Sequence, residues 1–189
     1  MTPTGWLLLV ALAFVAAAAA WDLRTGHIPN ALTYGGLACG AVLHLSVRVL
    51  TEPPVTSPFR AAPLGIALGY LLLGVVLCAA APSFLFVRHA MGGGDVKLLA
   101  AVGAFLGPVL GLEVQLYSFL VLVLVAPARL AYEGRLLQVL RDSAALLFNP
   151  LVPKAQRRAI DPEALSSHRF APAVLAALAV VVMLRWSAT

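Results

Sequence analysis

The sequence predicts an all-α integral membrane protein, built as a bundle of six transmembrane helices with both termini on the extracytoplasmic side. Composition is the first observation: 61% of the residues are hydrophobic, 11% are charged, and the mean hydropathy is +0.95. A soluble domain carries about a quarter charged residues. A water-soluble fold of 189 residues has no way to hide so much apolar surface. We therefore expect one membrane-embedded domain over residues 1–189.

Apolar runs of membrane-crossing length are the second observation, since a helix needs about 20 residues to span the hydrocarbon core. The six runs are 5–21, 31–50, 63–87, 96–110, 112–130 and 170–186. Each is expected to be helical, because irregular backbone facing lipid leaves its amides unsatisfied. The fourth run is short and is separated from the fifth by Gly107, Pro108 and Gly111, so these two runs are expected to form a tight helical hairpin.

The first run is interpreted as a retained span, although its alanine-rich end is similar to a secretory signal. A signal peptide has a positively charged segment before its apolar core. Residues 1–5 contain no basic side chain, and Arg24 follows the core.

The distribution of basic residues is the third observation, because Lys and Arg collect in cytoplasmic loops. With the N-terminus outside, ten of the thirteen Lys and Arg fall on the inner side and three (Arg48, Arg60 and Arg185) fall outside. The inner ten are Arg24, Arg88, Lys97, Arg129, Arg135, Arg141, Lys154, Arg157, Arg158 and Arg169. In the inner segment 132–168, leucines alternate with arginines, which predicts a basic amphipathic helix on the inner leaflet.

Several function classes are disfavoured. The net charge of +5 is explained by membrane insertion, and no basic run is interleaved with aromatic residues as nucleic-acid binding would require. Cys39 and Cys78 form no CxxC pair, so we expect no zinc ribbon. No GxGxxG or Walker pattern supports a nucleotide cofactor. Lys97 is interpreted as an interfacial anchor.

Two aspartates stand at helix ends in this lipid-embedded chain. Asp22 closes the first run, and Asp95 precedes the fourth. Ionisable groups at such places are functional candidates. The predicted topology puts both on the cytoplasmic side at the same depth, so the two carboxyls can meet. Two neighbouring carboxyl groups are the minimum that acid–base activation of a water molecule requires.

The helix ends favour different roles for the two aspartates. The positive end of a helix dipole favours a carboxylate at Asp95, whereas the negative end disfavours one at Asp22. We therefore expect Asp22 to hold the shared proton more often and Asp95 to activate the water. Gly92, Gly93 and Gly94 before Asp95 are expected to permit positive φ and to let an extended peptide approach the backbone. The alternative is an ordinary turn with Asp95 as a helix cap.

The residue types after Asp22 predict where the first helix ends and the second begins. Gly26 ends the first helix, Pro29 forbids its continuation, and Asn30 can cap the next helix. His27 either tunes the aspartates, binds a metal or, as is more common for a lone histidine in a basic interfacial loop, is solvated. Arg24, His27, Pro29, Asn30, Lys97 and Pro172 are the residues expected to support the site.

These motifs together resemble the type IV prepilin peptidases, which are membrane aspartic proteases of the GxGD class. The resemblance rests on DLRTGHIPN after the first helix, GGGDVKL before the fourth, and FAPAV, with Pro172, opening the last helix. It implies Asp22 and Asp95 as the catalytic pair, with Gly92 and Gly94 as the glycines of the motif. It also implies water attack on a peptide bond without a covalent intermediate, metal or cofactor.

The function implied by the resemblance is removal of the short basic leader from prepilins or pseudopilins at the cytoplasmic face of the bacterial inner membrane. The chain is similar to the short Flp/Tad-type peptidases, because it has no cysteine-paired domain before Asp22. Methyl transfer is therefore not expected.

Two other interpretations stay open at this stage. One is a non-catalytic transporter or pilus-assembly subunit, in which the aspartates relay protons or ions. The other keeps the aspartic-protease chemistry but cuts within the bilayer, as presenilin-like enzymes do.

Overall fold

Five helices make up the part of the chain that the structure describes. The computed structural model describes residues 3–51, 63–88, 91–132, 134, 137, 141 and 169–186, and within these ranges it contains no β-strand. The helices are α1 (Pro3–Thr25), α2 (Asn30–Thr51), α3 (Pro63–Val87), α4 (Gly93–Tyr132) and α5 (Ala171–Trp186). The all-helical prediction is confirmed for these residues.

Four of these helices, α1 to α4, are long and apolar enough to cross a membrane, and α5 is shorter. The outward face of α3 carries large apolar side chains, with Leu72 60% and Val76 61% exposed. Lipid is the solvent that such a face requires, because contiguous apolar surface of this kind is rare on soluble monomers. The chain is a multi-pass membrane protein. The count of six spans stays a prediction, and most of the inner segment 132–168 lies outside the described residues.

Helix α1 is terminated at Gly26, as predicted. The apolar run stops at residue 21, but α1 continues to Thr25, so Asp22 lies inside its last turn. Gly26 then adopts φ 74° and donates its N–H to the Asp22 carbonyl at 2.9 Å. A left-handed glycine at this position is a common way to end a helix. The apolar run stops before the helix does, because the last turn of α1 is polar.

Helix α4 contains a break at Gly107, where φ is 75° and ψ is −175°. A Cβ built on Gly111 would lie 3.2 Å from the Cα of Gly103. Residues eight apart in a continuous helix are separated by about 12 Å, so the chain turns back on itself at Gly107. This agrees with the hairpin expected there. The predicted start at residue 96 was wrong: α4 begins at Gly93 and so includes part of the glycine motif.

The first arm of α4 packs against α1 and α2 through two aromatic rings and two glycines. Phe14 of α1 and Phe105 of α4 have ring centroids 5.4 Å apart. Gly36 and Gly40 of α2 lie against these rings, and a Cβ on Gly40 would come within 2.9 Å of Phe105. Small residues let transmembrane helices approach closely. This packing fixes the depth of the first arm relative to α1.

The close approach of α3 to α4 also depends on glycine. A Cβ on Gly74 would lie 2.6 Å from the carbonyl oxygen of Gly103 and 2.8 Å from the carbonyl carbon of Gly107. Real Cβ atoms do not approach backbone atoms this closely, so a larger residue at either contact separates the two helices. Helix α5 packs against α1.

The chain divides into two units. The first consists of residues 1–119 and 169–189, and it contains both aspartates. The second consists of residues 120–168. In the second unit, α4 ends at Tyr132, and the N–H of Gly134, with φ 70°, donates to the Ala131 carbonyl at 3.1 Å.

The contact between α3 and α4 gives a prediction about stability. Replacing Gly74 with Ala is expected to lower the free energy of unfolding by about 1–3 kcal/mol, because the new methyl group clashes with rigid backbone of α4. Thermal unfolding in detergent measures this loss. Gly69→Ala on the same helix is the matched control, since a Cβ there meets nothing within 4 Å. Equal melting temperatures for the two variants would contradict the packing described.

Candidate active site

Asp22 is a buried carboxyl in the last turn of α1. It is 5% exposed, and its Oδ2 atom has no hydrogen-bond partner among the residues that the structure describes. An unpaired buried polar atom is costly, so such atoms are concentrated at sites with a chemical role. Oδ2 of Asp22 is therefore available to bind a water molecule or another polar group.

Asp95 is the third residue of α4 and takes part in its N-terminal cap. The N–H groups of Asp95 and Val96 donate to the carbonyl oxygen of Gly92 at 3.2 and 3.4 Å. The Asp95 carboxyl in turn accepts a hydrogen bond from the Gly92 backbone. A side chain at the third helical position that reaches back to the N-cap N–H is one half of a capping box, and Gly92 has no side chain to supply the other half. The cap orients the carboxyl of Asp95, so the structural and chemical interpretations of this residue are compatible.

The fold brings the two aspartates together. The carboxyl groups of Asp22 and Asp95 lie close enough for their charges to act on one another. Each is fixed at a helix end, Asp22 at the C-terminal end of α1 and Asp95 at the N-terminal end of α4. Two neighbouring carboxyls cannot easily both ionise, so one of them holds a proton. The pair can therefore supply an acid and a base at the same place.

The glycines before Asp95 do not have the conformation that we expected. Positive φ was predicted for this stretch, but Gly92, Gly93 and Gly94 are not among the left-handed glycines. Gly93 and Gly94 belong to the first turn of α4. Their small size serves packing instead, because a Cβ on Gly93 would lie 3.3 Å from Phe86 and one on Gly94 would lie 3.4 Å from Ile28.

Gly92 has a different reason to be glycine. A Cβ at this position would lie 3.2 Å from Oδ2 of Asp95. A side chain there would press on the carboxyl that folds back over the helix end. Gly92 thus leaves room for Asp95 to reach the backbone N–H that orients it.

Lys97 and Asn30 join the two segments that carry the aspartates. Nζ of Lys97 donates to Oδ1 of Asn30 at 2.6 Å and lies 4.8 Å from the centre of the Tyr34 ring. Lys97 was interpreted as an interfacial anchor, but it is hydrogen-bonded within the protein. Asn30 was expected to cap α2, but its side-chain oxygen accepts from Lys97. The N–H groups of Leu32 and Thr33 donate to the carbonyl of Pro29 instead.

The remaining residues of the segment after Asp22 surround it. His27 is exposed, lies with Nδ1 3.4 Å from the Thr25 carbonyl, and interacts through its charge with Asp22. Arg24 is exposed in the last turn of α1, where a basic residue complements the helix dipole. Ile28 is buried and contacts Gly94. The loop therefore lies directly against the first turn of α4.

Arg169 is a site residue that the sequence did not single out. Its Nη1 donates to the carbonyl oxygen of Leu23, and its positive charge acts on the Asp22 carboxyl. From the sequence, Arg169 was interpreted only as one of the ten basic residues on the inner side. Its position directly before Phe170, at the start of the last helix motif, was the one available signal.

The segment that follows Arg169 is anchored by an aromatic residue. Phe170 is buried, with its ring centroid 5.6 Å from that of Phe119. The Phe170 carbonyl accepts from the N–H groups of Ala173 and Val174 at 2.9 and 3.2 Å. Pro172 lies in this first turn of α5, where its missing N–H costs nothing. Pro172 therefore lies at the start of the helix that follows Arg169.

The chain is similar in sequence to several proteins of known name. The chain is 35% identical over 99 residues to a prepilin leader peptidase/N-methyltransferase of Dickeya chrysanthemi, a match covering 52% of this chain and 32% of that protein. It is 37% identical over 93 residues to a protein of the same name from Burkholderia pseudomallei, covering 48% and 26%. The corresponding Klebsiella pneumoniae protein is 35% identical over 103 residues, covering 54% and 40%.

These matches span well under half the length of each of the three relatives. No solved structure matches the chain. The model of the type IV leader peptidase family matches residues 9–127, a segment that includes both aspartates and the three glycines. Because this segment is well over half of the sequence, the chain belongs to the type IV leader peptidase family.

Proposed function

We propose that this protein is an aspartic endopeptidase that removes the short basic leader from type IV prepilin or pseudopilin precursors. One observation carries the proposal: the carboxyls of Asp22 and Asp95 interact at two facing helix ends, in a chain of the leader peptidase family. The relatives are named for leader cleavage and for methyl transfer. Methyl transfer is not part of the proposal.

The chemistry needs only the two carboxyls and a water molecule. The ionised carboxyl takes a proton from water while the water oxygen attacks the peptide carbonyl carbon. The protonated carboxyl gives its proton to the carbonyl oxygen, which yields a neutral tetrahedral diol. Proton transfer to the amide nitrogen then lets the C–N bond break, and a carboxylic acid and an amine are released. The dyad ends the cycle with one proton, as it began.

The assignment of acid and base follows from the helix ends. Asp95 lies at the positive end of α4 and accepts from the Gly92 backbone, and these two features favour a carboxylate, whereas burial and the neighbouring Asp22 act against one. Asp22 lies at the negative end of α1 and has an unpaired oxygen. We assign Asp95 as the group that activates the water and Asp22 as the group that holds the shared proton.

The proposed site faces the cytoplasm of a bacterial inner membrane. The basic residues near the site, Arg24, Lys97 and Arg169, support this orientation because such residues collect on the cytoplasmic side. The hairpin at Gly107 supports counting α4 as two spans, which gives six in all and leaves both termini outside.

Neutralising either aspartate is expected to abolish cleavage. Asp22→Asn and Asp95→Asn should each lower kcat by at least about 100-fold, because each removes one proton-transfer group while preserving shape. Release of the leader from a prepilin-like substrate in lipid or detergent measures this loss. Glu113→Gln is the matched control, since Glu113 is another acidic residue of α4 and pairs with Arg185 at 2.8 Å. Near-normal cleavage by either aspartate variant would refute the dyad.

Breaking the Lys97–Asn30 hydrogen bond is expected to weaken catalysis, because this bond fixes the Asp22 segment to the first turn of α4. Lys97→Met and Asn30→Ala should each lower kcat/KM, and the double variant should lose little more than either single one. A coupling free energy of about 0.5–3 kcal/mol is expected for residues in direct contact. Strictly additive losses would show that the two residues act independently.

The proposed topology is tested by labelling introduced cysteines in cells. In a Cys39→Ala, Cys78→Ala background, Ser187→Cys is expected to react with a membrane-impermeant maleimide applied outside. Ser167→Cys is expected to react only after the inner membrane is opened, because the proposal puts residues 132–168 in the cytoplasm. The opposite pattern of labelling would overturn the orientation.

A further inference from the structure

Arg169 makes two interactions with the last turn of α1. Its guanidinium donates to the Leu23 carbonyl, and its charge acts on the carboxyl of Asp22, the preceding residue. The final four carbonyls of a helix have no partner within the helix. Arg169 therefore satisfies one of these carbonyls and places a positive charge at the negative end of α1.

In the proposed cycle Asp22 becomes negatively charged when it gives up the shared proton, and a positive charge beside it stabilises that state. Burial acts most strongly against a negative charge on Asp22, and the helix dipole of α1 and the neighbouring Asp95 add to this effect. Two groups oppose them, Arg169 first and the nearby His27 second. His27 is exposed and hydrogen-bonded only weakly, at 3.4 Å, to the Thr25 carbonyl. Arg169 is the group that is both permanently charged and anchored to the same helix turn.

We propose that Arg169 is a positioning residue that holds the last turn of α1 and orients Asp22 toward Asp95. This inference rests on the proposed peptidase function. Arg169 acts through Asp22 and the Leu23 carbonyl and makes no contact with the peptide being cut. Because Phe170, the next residue, is buried against Phe119, the backbone that carries Arg169 is fixed, and the guanidinium connects α5 to the dyad.

Three variants separate charge from hydrogen bonding. Arg169→Gln keeps an N–H donor but loses the charge, Arg169→Lys keeps the charge, and Arg141→Gln makes the same charge loss at an exposed residue in the second unit. Leader cleavage is measured as kcat and KM separately, together with the melting temperature of each variant in the same detergent.

Arg169→Gln is expected to lower kcat about tenfold or more with little change in KM, because a displaced catalytic group slows the chemical step without weakening binding. Arg169→Lys should recover most of this loss, and Arg141→Gln should match the wild type. If Arg169→Gln does not fold, Arg169→Lys alone decides, since the proposal requires it to stay active.

Other results overturn the proposal. Wild-type kcat in Arg169→Gln would show that Asp22 needs no help from Arg169. A change confined to KM would show that Arg169 binds the substrate. Equal losses of kcat in the Gln and Lys variants, with a matching drop in melting temperature, would show that the hydrogen bond of Arg169 has only a structural role. If the wild type itself cuts no leader, the proposed function fails first and this inference fails with it.

Discussion

Holding two carboxyl groups next to one another at the ends of apolar helices is the constraint on which the rest of the structure depends. Each carboxyl is costly to bury, and each makes it harder for the other to carry a charge. The fold offsets these costs locally. The Gly92 backbone donates to Asp95, the first turn of α4 presents its positive dipole end, and Arg169 brings a cation to Asp22. The site needs helix ends because only there are unpaired backbone groups available to hold a charge.

The approach of the two helix ends in turn explains the small residues around them. Gly93 lies against Phe86 and Gly94 against Ile28, so the first turn of α4 sits directly on α3 and on the loop after α1. The Lys97–Asn30 hydrogen bond then fixes the same turn to the start of α2. Packing, capping and the proposed acid–base chemistry thus use the same few residues, so a substitution in this motif is expected to alter all three at once.

The sequence predicted the helices and the meeting of Asp22 with Asp95, because both follow from strong signals. Long apolar runs specify helices, and the basic residues predict that both aspartates lie on one side. Local conformation was harder to predict: GGGD was expected to be a loop before the fourth helix, whereas the capping bonds of Gly92 start a helix there. Arg169 was missed because its contact with Leu23 joins residues far apart in sequence, and neither spacing nor hydrophobicity records such a contact. The partner of Lys97 was missed for the same reason.

The hairpin in α4 shows how the depth of Asp95 is set from the other end of the helix. Residues 93–106, the first arm of α4, span about 20 Å. The helix stops at Gly107, so the last carbonyls of this arm need partners outside the helix. His44, buried in α2, faces the Phe105 carbonyl with Nδ1 at 3.0 Å, and Tyr70 of α3 stacks on the His44 ring. Gly107 packs so closely against these two rings that a side chain would not fit at this position. Contacts with α2 and α3 therefore hold the turn in place. The first arm is thus fixed at both ends, by His44 at the hairpin and by Asn30 and Ile28 near Asp95, and this leaves the carboxyl of Asp95 little freedom to move along the helix axis away from Asp22.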